Sequence, residues 1–512
     1  MSKQKRKQPK NQTLLVNNNK RQRRVSSDDD KGINSELVAD WEETFSTNPL
    51  NLLAKNTVAT VGSYMSSLDP TETRKITHIF VNSLKKHNLK ATNQGRSGRC
   101  WIFAGMNTFR HFLIKAMNLE NFEFSETYLF FWDKLERANT FLQWFIDNSQ
   151  DNNSREVHYM LREYRGDGGY WEMFANLVNK YGLVPASAMP ETYQSCDSDD
   201  MNQIMDSKEN AFVNWVSQTK RLDSSGRILN RGELEEEKIK LLHQLYDTLV
   251  KFLGQPPNDF TWFYTHIDDD NEYVSSAMKS DPVTFTQMVV PKPEFDVKDF
   301  VSIGNYPNSR CQFNKIYEIR GTSNIHGGNC ARFLNLPITQ LKKYAKQSIL
   351  TGIPVWFAGD VRRGFDLFHS ALNLKVFNND LLFGETKPMT KGERLEVRDT
   401  AACHAMVLIG VNVDENDETT EWQVENSWGY FDSEEPGADG YLSMTDDWFT
   451  ECVFEIVIHK KLLSRIHQNL INSNNVVVLD PWDSMAPAMK IGPYHAPKDY
   501  LSYLGKKKKS II

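Results

Sequence analysis

Apolar positions recur at helical spacing in the first half of the chain. Cys100 to Asn118 repeats them every three or four residues, which predicts a helix. Residues 124–147 are dense in aromatic side chains, and we expect a deeply buried helical hairpin there. Leu234 to Leu253 carries its leucines along one side, and Gly254 follows at once, so an amphipathic helix is predicted to end there.

The last third of the chain changes to short apolar runs bounded by turn-forming residues. These runs predict strands at Ala405 to Val413, Glu421 to Asn426 and Val453 to His459. A turn at Asp414 to Thr420 would pair the first two strands antiparallel. Helices first and strands last indicate the α+β fold class. Apolar stretches stay shorter than the roughly 18 residues of a membrane-spanning helix, so we expect no membrane association.

Composition is that of a globular protein, with 40% hydrophobic and 25% charged residues among 512. These values exclude wholesale disorder and collagen-like fibres. The length predicts several hydrophobic cores, or one core with large insertions. Six cysteines lack the spacing of a disulfide framework, and the N-terminus lacks the apolar segment of a secretory signal. Both observations predict a reducing, cytoplasmic location.

Charge is concentrated in an N-terminal arm. Residues 1–24 contain nine Lys or Arg and no acid, and Lys506 to Lys509 add a second basic run. The rest of the chain holds 47 basic and 66 acidic residues, which argues against nucleic acid as the main ligand. We expect residues 1–33 to be disordered. The arm is open to three interpretations: a solubilising tail, a nuclear-targeting signal, or a weak non-specific nucleic-acid-binding segment.

Three short segments carry candidate chemistry. Gln94 to Trp101 places Cys100 at a predicted helix start, where unpaired N–H groups and the helix dipole favour a thiolate. His404 heads one predicted strand, and Asn426 ends the next. Antiparallel pairing of these strands would make His404 and Asn426 neighbours, so that the Asn carbonyl holds the imidazole in one tautomer.

Each of these residues alone also has an ordinary structural explanation. Free cysteines are usually buried apolar residues, a histidine before a strand is usually a core residue, and an asparagine at a strand end usually forms a turn. Cys403-His404 does not suit zinc, because no second pair follows at the spacing of a zinc site. We expect no metal and no cofactor. The three segments together, rather than any one residue, predict a cysteine nucleophile.

The same segments resemble the signatures of papain-like cysteine peptidases. The resemblance is closer to the bleomycin hydrolases, the cytosolic aminopeptidase branch of that family, and runs from about residue 50 to 488. Further segments that carry it are Phe122 to Lys134, Asp167 to Gly169, Trp356-Phe357, Glu425 to Gly429, and Trp482 to Met485.

This resemblance implies a role for each catalytic position. Cys100 is expected to be the nucleophile, with a lowered thiol pKa, and His404 the base that takes its proton and later protonates the leaving amine. Asn426 is expected to orient His404. Gln94 is expected to donate to the oxyanion together with the Cys100 backbone N–H.

Other residues are expected to support the site or to bind substrate. Trp428 would shield the His–Asn hydrogen bond from water, and Trp101 would support the nucleophile. Gly168 and Gly169 would let an extended substrate backbone lie close, although the pair also reads as an ordinary turn. Tyr170 could narrow a specificity pocket.

The resemblance implies a papain-like fold, with a helical half and a β-barrel-like half. Cys100 and His404 are 304 residues apart, whereas small papain-like enzymes need roughly 130–150, so we expect a helical insertion at roughly 195–300. The peptidase core would then occupy residues 34–488. Family hexamers use such insertions for assembly, which implies a homohexamer.

The C-terminus departs from the family pattern. Family members end near the segment matching Leu479 to Ala488, and their terminal carboxylate holds the substrate amino group. Here residues 489–512 follow, so the enzyme trims this extension, the arm is displaced, or specificity has changed. The predicted function is a cysteine aminopeptidase for short peptides and amino-acid amides, with thiolactone hydrolysis also implied. The alternatives are an endopeptidase or carboxypeptidase with a displaced arm, and an added nucleic-acid-binding role.

Overall fold

The computed structural model describes residues 32–86, 89–148, 154–219, 230–290, 296–430 and 439–483. The predicted basic arm up to residue 31 and the extension at 489–512 lie outside the described residues. The chain divides into two compact units, residues 1–67 and 68–512. In the first unit, α1 spans Ser35–Thr47 and α2 spans Pro49–Ser67. Asn34 caps α1, because its side chain accepts a hydrogen bond from the Leu37 N–H at 2.9 Å.

The second unit contains most of the helices. In chain order they are α3 (Pro70–Thr73), α4 (Cys100–Ala116), α5 (Glu126–Asn148), α6 (Arg155–Tyr159), α7 (Trp171–Tyr181), α8 (Tyr193–Cys196), α9 (Asp199–Thr219), α10 (Arg231–Leu253), α11 (Pro282–Val289), α12 (Ile338–Leu350), α13 (Asn379–Phe383), α14 (Lys391–Glu396), α15 (Asp446–Cys452) and α16 (Arg465–Ile471). Among the described residues, no helix has the length and apolar character needed to cross a membrane.

The predicted amphipathic helix is confirmed as α10. Asn230 and Glu233 form a reciprocal capping box at its start, and Gly254 ends it with a positive φ of 87°. The hairpin predicted at residues 124–147 is wrong, because this stretch forms the single helix α5. No Gly or Pro interrupts the segment, and its side chains are buried around most of the helix, so the dense aromatics indicate burial and not a turn.

The described strands belong to one large sheet and one separate hairpin. In chain order they are β1 (Asn82–Ser83), β2 (Phe260–Ile267), β3 (Tyr273–Ser280), β4 (Phe300–Gly304), β5 (Lys315–Ile319), β6 (Arg332–Asn335), β7 (Val355–Gly359), β8 (Phe365–Asp366), β9 (Ala371–Leu372), β10 (His404–Val413), β11 (Thr419–Glu425), β12 (Tyr441–Thr445), β13 (Val453–His459) and β14 (Val476–Leu479).

The large sheet runs in the order β14-β5-β6-β4-β13-β7-β10-β11-β12-β9-β8, and β1 also pairs with β10. The strands β10 and β11 form the antiparallel pair that the sequence predicts. The hairpin β2–β3 lies inside the predicted insertion at 195–300, which is therefore not purely helical. The limits of that insertion and of the core stay predictions.

The middle of the sheet is covered on both faces. Along β10, Ala405 and Val407 join a core that includes Cys100 and Trp101 of α4. Met406 and Leu408 join a second core on the opposite face. This alternation follows from the two-residue period of a strand. Helix α4 therefore packs on one face of the sheet and begins beside the start of β10.

Candidate active site

Cys100 is the first residue of α4 and is fully buried. The backbone amides of Ala405, the residue after His404, and of Trp101 lie near enough to the Cys100 sulfur to lower the pKa of its thiol. Within the described residues, the side chain of Arg99 makes no capping hydrogen bond at this helix start. The first N–H groups of α4 can therefore act on the sulfur or on a bound group.

The paired strands bring His404 and Asn426 together, as predicted. His404 Nε2 lies 2.7 Å from Asn426 Oδ1. The Ser427 backbone N–H donates to the same oxygen at 2.8 Å. A backbone N–H can only donate, so the shared Asn426 atom is the oxygen and Nε2 carries the imidazole proton. His404 Nδ1 therefore holds a lone pair, and it is buried with no hydrogen-bond partner in the described part of the chain.

Trp428 lies against the His404 imidazole. The ring centroids are 4.7 Å apart and the planes are tilted by 32°. Phe365 packs on Trp428 at 5.3 Å between centroids. Both His404 and Trp428 are buried. Trp428 and Phe365 thus form an aromatic layer over His404. Shielding of the His–Asn hydrogen bond from water, the predicted role of Trp428, requires such a position.

Gln94 is fully buried and is held at both ends of its side-chain amide. Its Nε2 donates to the Ser97 carbonyl at 2.7 Å. Its Oε1 accepts from the Ser427 hydroxyl at 2.6 Å, and its backbone N–H donates to the Ser427 carbonyl at 2.8 Å. Sequence reasoning missed Ser427, although its place between Asn426 and Trp428 was a usable signal. Ser427 therefore connects the segment that follows β11, which contains Asn426, to the loop that contains Gln94.

Gly168 and Gly169 are buried beside Trp101. Trp101 Nε1 donates to the Asp167 carbonyl at 2.7 Å, and an Arg137 guanidinium N–H donates to the Gly168 carbonyl at 2.7 Å. A Cβ on Gly169 would lie 2.5 Å from the Trp101 indole. Gly169 thus lacks a side chain at the point where Trp101 packs on it, and the supporting role of Trp101 stays a prediction. Substrate binding by the two glycines stays a prediction.

The ionisation of the site differs from the expectation of an acidic thiol. Burial raises the pKa of the Cys100 thiol to about 12, although the neighbouring backbone amides lower it. Burial also lowers the pKa of His404 to about 4, although the hydrogen bond to Asn426 raises it. The expected lowering of the thiol pKa is therefore wrong for the substrate-free site. Between these pKa values Cys100 is a neutral thiol and His404 is a neutral imidazole, so the two groups together carry no net charge.

Comparison with known proteins extends the likeness over most of the chain. The model of the Peptidase C1-like family matches residues 32–486. Human bleomycin hydrolase is 34% identical over 460 residues, which cover 89% of this chain and 98% of the relative. Aminopeptidase C of Listeria monocytogenes is 36% identical over 462 residues, which cover 88% and 99%.

The fold is also that of a solved relative. The crystal structure of PepW from Lactobacillus rhamnosis superposes with a TM-score of 0.80 at 32% identity, and covers 89% of this chain and 99% of PepW. The expected α+β, papain-like fold class is therefore confirmed. Together with bleomycin hydrolase and aminopeptidase C, the chain belongs to the Peptidase C1-like family, and it is a cysteine peptidase.

Proposed function

We propose that the protein is a cysteine aminopeptidase that removes N-terminal residues from short peptides and amino-acid amides through a thioester on Cys100. The observation that carries the proposal is the hydrogen bond from His404 Nε2 to Asn426 Oδ1. It leaves the lone pair on Nδ1, the ring nitrogen able to accept the Cys100 proton. The catalytic roles given to Cys100, His404, Asn426 and Gln94 are part of this proposal.

Acylation begins with transfer of the thiol proton to His404 Nδ1 as sulfur attacks the substrate carbonyl carbon. The carbonyl π electrons move to oxygen and form an oxyanion. This intermediate collapses when the C–N bond breaks, and His404 gives its proton to the leaving amine. Because proton transfer and attack occur together, positive charge forms on the imidazole as negative charge reaches the carbonyl oxygen, and neither buried group has to carry a lone charge before the attack.

The oxyanion is stabilised by the Cys100 backbone N–H and the Gln94 side-chain amide. One Nε2 proton of Gln94 is engaged by the Ser97 carbonyl, and the second is left for the substrate. The Ser427 hydroxyl fixes which end of the amide points outward. Loss of one such donor typically costs roughly 100- to 1000-fold in rate.

Deacylation uses the same residues in reverse. His404 takes a proton from water, whose oxygen attacks the thioester carbonyl. The C–S bond then breaks, and the proton on His404 returns to sulfur. The Asn426 hydrogen bond holds the imidazole in one orientation through both half-reactions, because the acceptor is fixed by the Ser427 N–H.

The aminopeptidase part of the proposal is supported by relatives named aminopeptidase C and bleomycin hydrolase. By the same resemblance we propose amide-bearing amino-acid derivatives and thiolactones as further substrates. The chain continues past Ala488, so a terminal carboxylate near that residue requires removal of residues 489–512. We propose that the enzyme trims this extension itself. Intact mass of the wild type and of Cys100→Ala tests it, and Ile512 retained in both would contradict it.

The decisive experiment compares two fluorogenic aminoacyl amides on reduced protein, one with a free and one with a blocked amino group. We expect cleavage of the free-amine substrate only, and no activity in Cys100→Ala. Comparable cleavage of the blocked substrate would instead indicate an endopeptidase with an open cleft. Activity that survives in Cys100→Ala would refute the assignment of the nucleophile.

Assembly, location and nucleic-acid binding are further proposals. We propose a homohexamer in the cytoplasm, by analogy with the family and from the free cysteines. Molar mass in solution tests the assembly, and a stable monomer would contradict it. For the basic arm, deletion of residues 1–24 tests the added role: salt-sensitive binding to nucleic acid should disappear while peptidase activity stays.

A further inference from the structure

A buried arginine lies directly before the nucleophile. The side chain of Arg99 is completely buried, and its guanidinium forms a bidentate pair with Glu191 at 2.9 and 2.8 Å. The Glu191 side chain is about one-third exposed, at 33%. Bidentate pairs of this kind fix both distance and orientation. The mechanism above makes no use of either residue.

The other nitrogens of Arg99 hold the loop that carries Gln94. Nε donates to the Ser97 hydroxyl at 2.8 Å, and Nη2 lies 3.4 Å from the Gln94 carbonyl oxygen. The Ser97 hydroxyl in turn donates to the same Gln94 carbonyl at 2.6 Å. The guanidinium therefore closes the Gln94-to-Arg99 loop from inside. These hydrogen bonds hold the backbone of Gln94, the proposed oxyanion donor, and none of them involves His404.

Glu191 is itself fixed by groups outside this loop. The Thr127 hydroxyl of α5 donates to one carboxylate oxygen and the Ser195 hydroxyl to the other, both at 2.7 Å. Burial raises the pKa of Glu191, but Arg99 and the Ser195 and Thr127 hydroxyls together lower it to about 2, so the carboxylate stays charged at working pH. A further hydrogen bond connects residues 191–196 to the Gln94-to-Arg99 loop: the Arg96 backbone N–H donates to the Cys196 carbonyl at 2.6 Å.

We propose that Arg99 and Glu191 are positioning residues for the oxyanion hole. The pair anchors the Gln94 loop to residues 191–196 and so sets where the Gln94 amide meets the substrate carbonyl. This inference rests on the proposed function. It assigns the pair to transition-state stabilisation through Gln94 and gives it no part in forming the thiolate.

The test compares Glu191→Gln with the wild type on the aminoacyl amide and with iodoacetamide. We expect kcat to fall by roughly 10- to 100-fold, less than complete loss of a donor, with KM nearly unchanged. Alkylation of Cys100 should keep its rate and pH dependence, because displacement of iodide forms no oxyanion. Glu451→Gln is the matched control, since the Glu451 side chain is likewise partly exposed, at 39%, and pairs with the mostly buried Arg394 at 2.6 Å.

A double-mutant cycle with Gln94→Ala completes the test. If the pair acts through Gln94, Glu191→Gln should cost little further rate in the Gln94→Ala background. Additive losses, or a parallel fall in alkylation rate, would overturn the proposal. Because Glu191→Gln leaves a buried charge unpaired, Arg99→Met with Glu191→Leu provides a second variant without that charge, and it should show the same loss of kcat.

The substrate preference of the wild type separates this inference from the proposed function. If the wild type cleaves the blocked substrate as well, the aminopeptidase proposal fails, and the variants are compared on that substrate. If Glu191→Gln and the apolar double variant both retain wild-type kcat on whichever substrate is cleaved, the positioning role is wrong while the peptidase assignment stands.

Discussion

The reactivity of Cys100 at acid pH tests the description of Cys100 and His404 as one buried pair. The relevant quantity is the pH at which the rate of Cys100 alkylation begins to fall. Burial lowers the pKa of His404 from 6.5 to about 4. This difference corresponds to about 3 kcal/mol against placing a lone charge on the imidazole, at about 1.4 kcal/mol per pKa unit. The pair should therefore take up a second proton only below about pH 4. Since that proton occupies Nδ1, reactivity is lost as pH falls through about 4.

The assay is the rate of Cys100 alkylation by iodoacetamide between pH 3.5 and 8, with Cys100→Ala as the background for the other cysteines. Alkylation avoids the titration of a substrate amino group. We expect a rate that is nearly flat from pH 5 to 7 and falls about tenfold per pH unit below about 4. An acid limb near 6.5 would refute the reasoning. Recovery of full activity on return to pH 7 separates titration from acid unfolding.

Asn426→Ala sharpens the same prediction. The hydrogen bond to Asn426 raises the pKa of His404, so its removal should move the acid limb to still lower pH. Loss of a hydrogen bond worth about 1 kcal/mol, together with a free imidazole orientation, should lower the plateau of kcat by about tenfold or more. A limb that moves to higher pH would show that Asn426 does not stabilise the protonated imidazole.

Three further predictions concern other residues. Ser427→Ala removes the hydroxyl that orients the Gln94 amide, and we expect steady-state kinetics to show a fall in kcat of about fivefold with KM unchanged, since one hydrogen bond is worth about 1 kcal/mol. Gly169→Ala should lower the free energy of unfolding by about 1–3 kcal/mol through its clash with Trp101; Gly166→Ala, with nothing within 4 Å of its Cβ, is the control in denaturant titrations. Burial lowers the pKa of Lys391 to about 7, so the unfolded chain binds more protons above pH 7 and stability should rise from pH 7 to 9 by up to about 3 kcal/mol. Lys391→Met should remove that rise. If the free energy of unfolding of Lys391→Met still increased from pH 7 to 9 as much as that of the wild type, the assignment to Lys391 would be wrong.

The catalytic neighbours could be predicted because their geometry follows from local rules. A cysteine at a helix start requires only the Gln94 to Trp101 loop and the apolar period behind it. His404 and Asn426 meet because a short turn pairs two adjacent strands antiparallel and brings the start of one beside the end of the other, although two irregularities in the pairing, at Leu408/Gly410 and Asn412/Val413, also shift the register. The His–Asn hydrogen bond was therefore within reach of the sequence alone.

Features that depend on distant packing were not predictable in the same way. The aromatic density of residues 124–147 predicts a hairpin where the fold has the single helix α5, because such density indicates burial and not chain direction. The contact of Gly169 with Trp101 and the pairing of Arg99 with Glu191 join residues 68 and 92 positions apart. No spacing rule connects such positions, because only the tertiary fold sets them side by side.

The thiol pKa shows how local and tertiary effects oppose each other at one atom. The helix start and the neighbouring amides favour the Cys100 thiolate, and these are the effects that a sequence reveals. Burial acts in the opposite direction, outweighs them, and also disfavours a charged His404. In the proposed mechanism, catalysis then depends on forming the imidazolium and the oxyanion in one step beside the proposed oxyanion site. For that reason the groups that hold Asn426 and Gln94 in position should govern kcat more strongly than the acidity of the thiol alone.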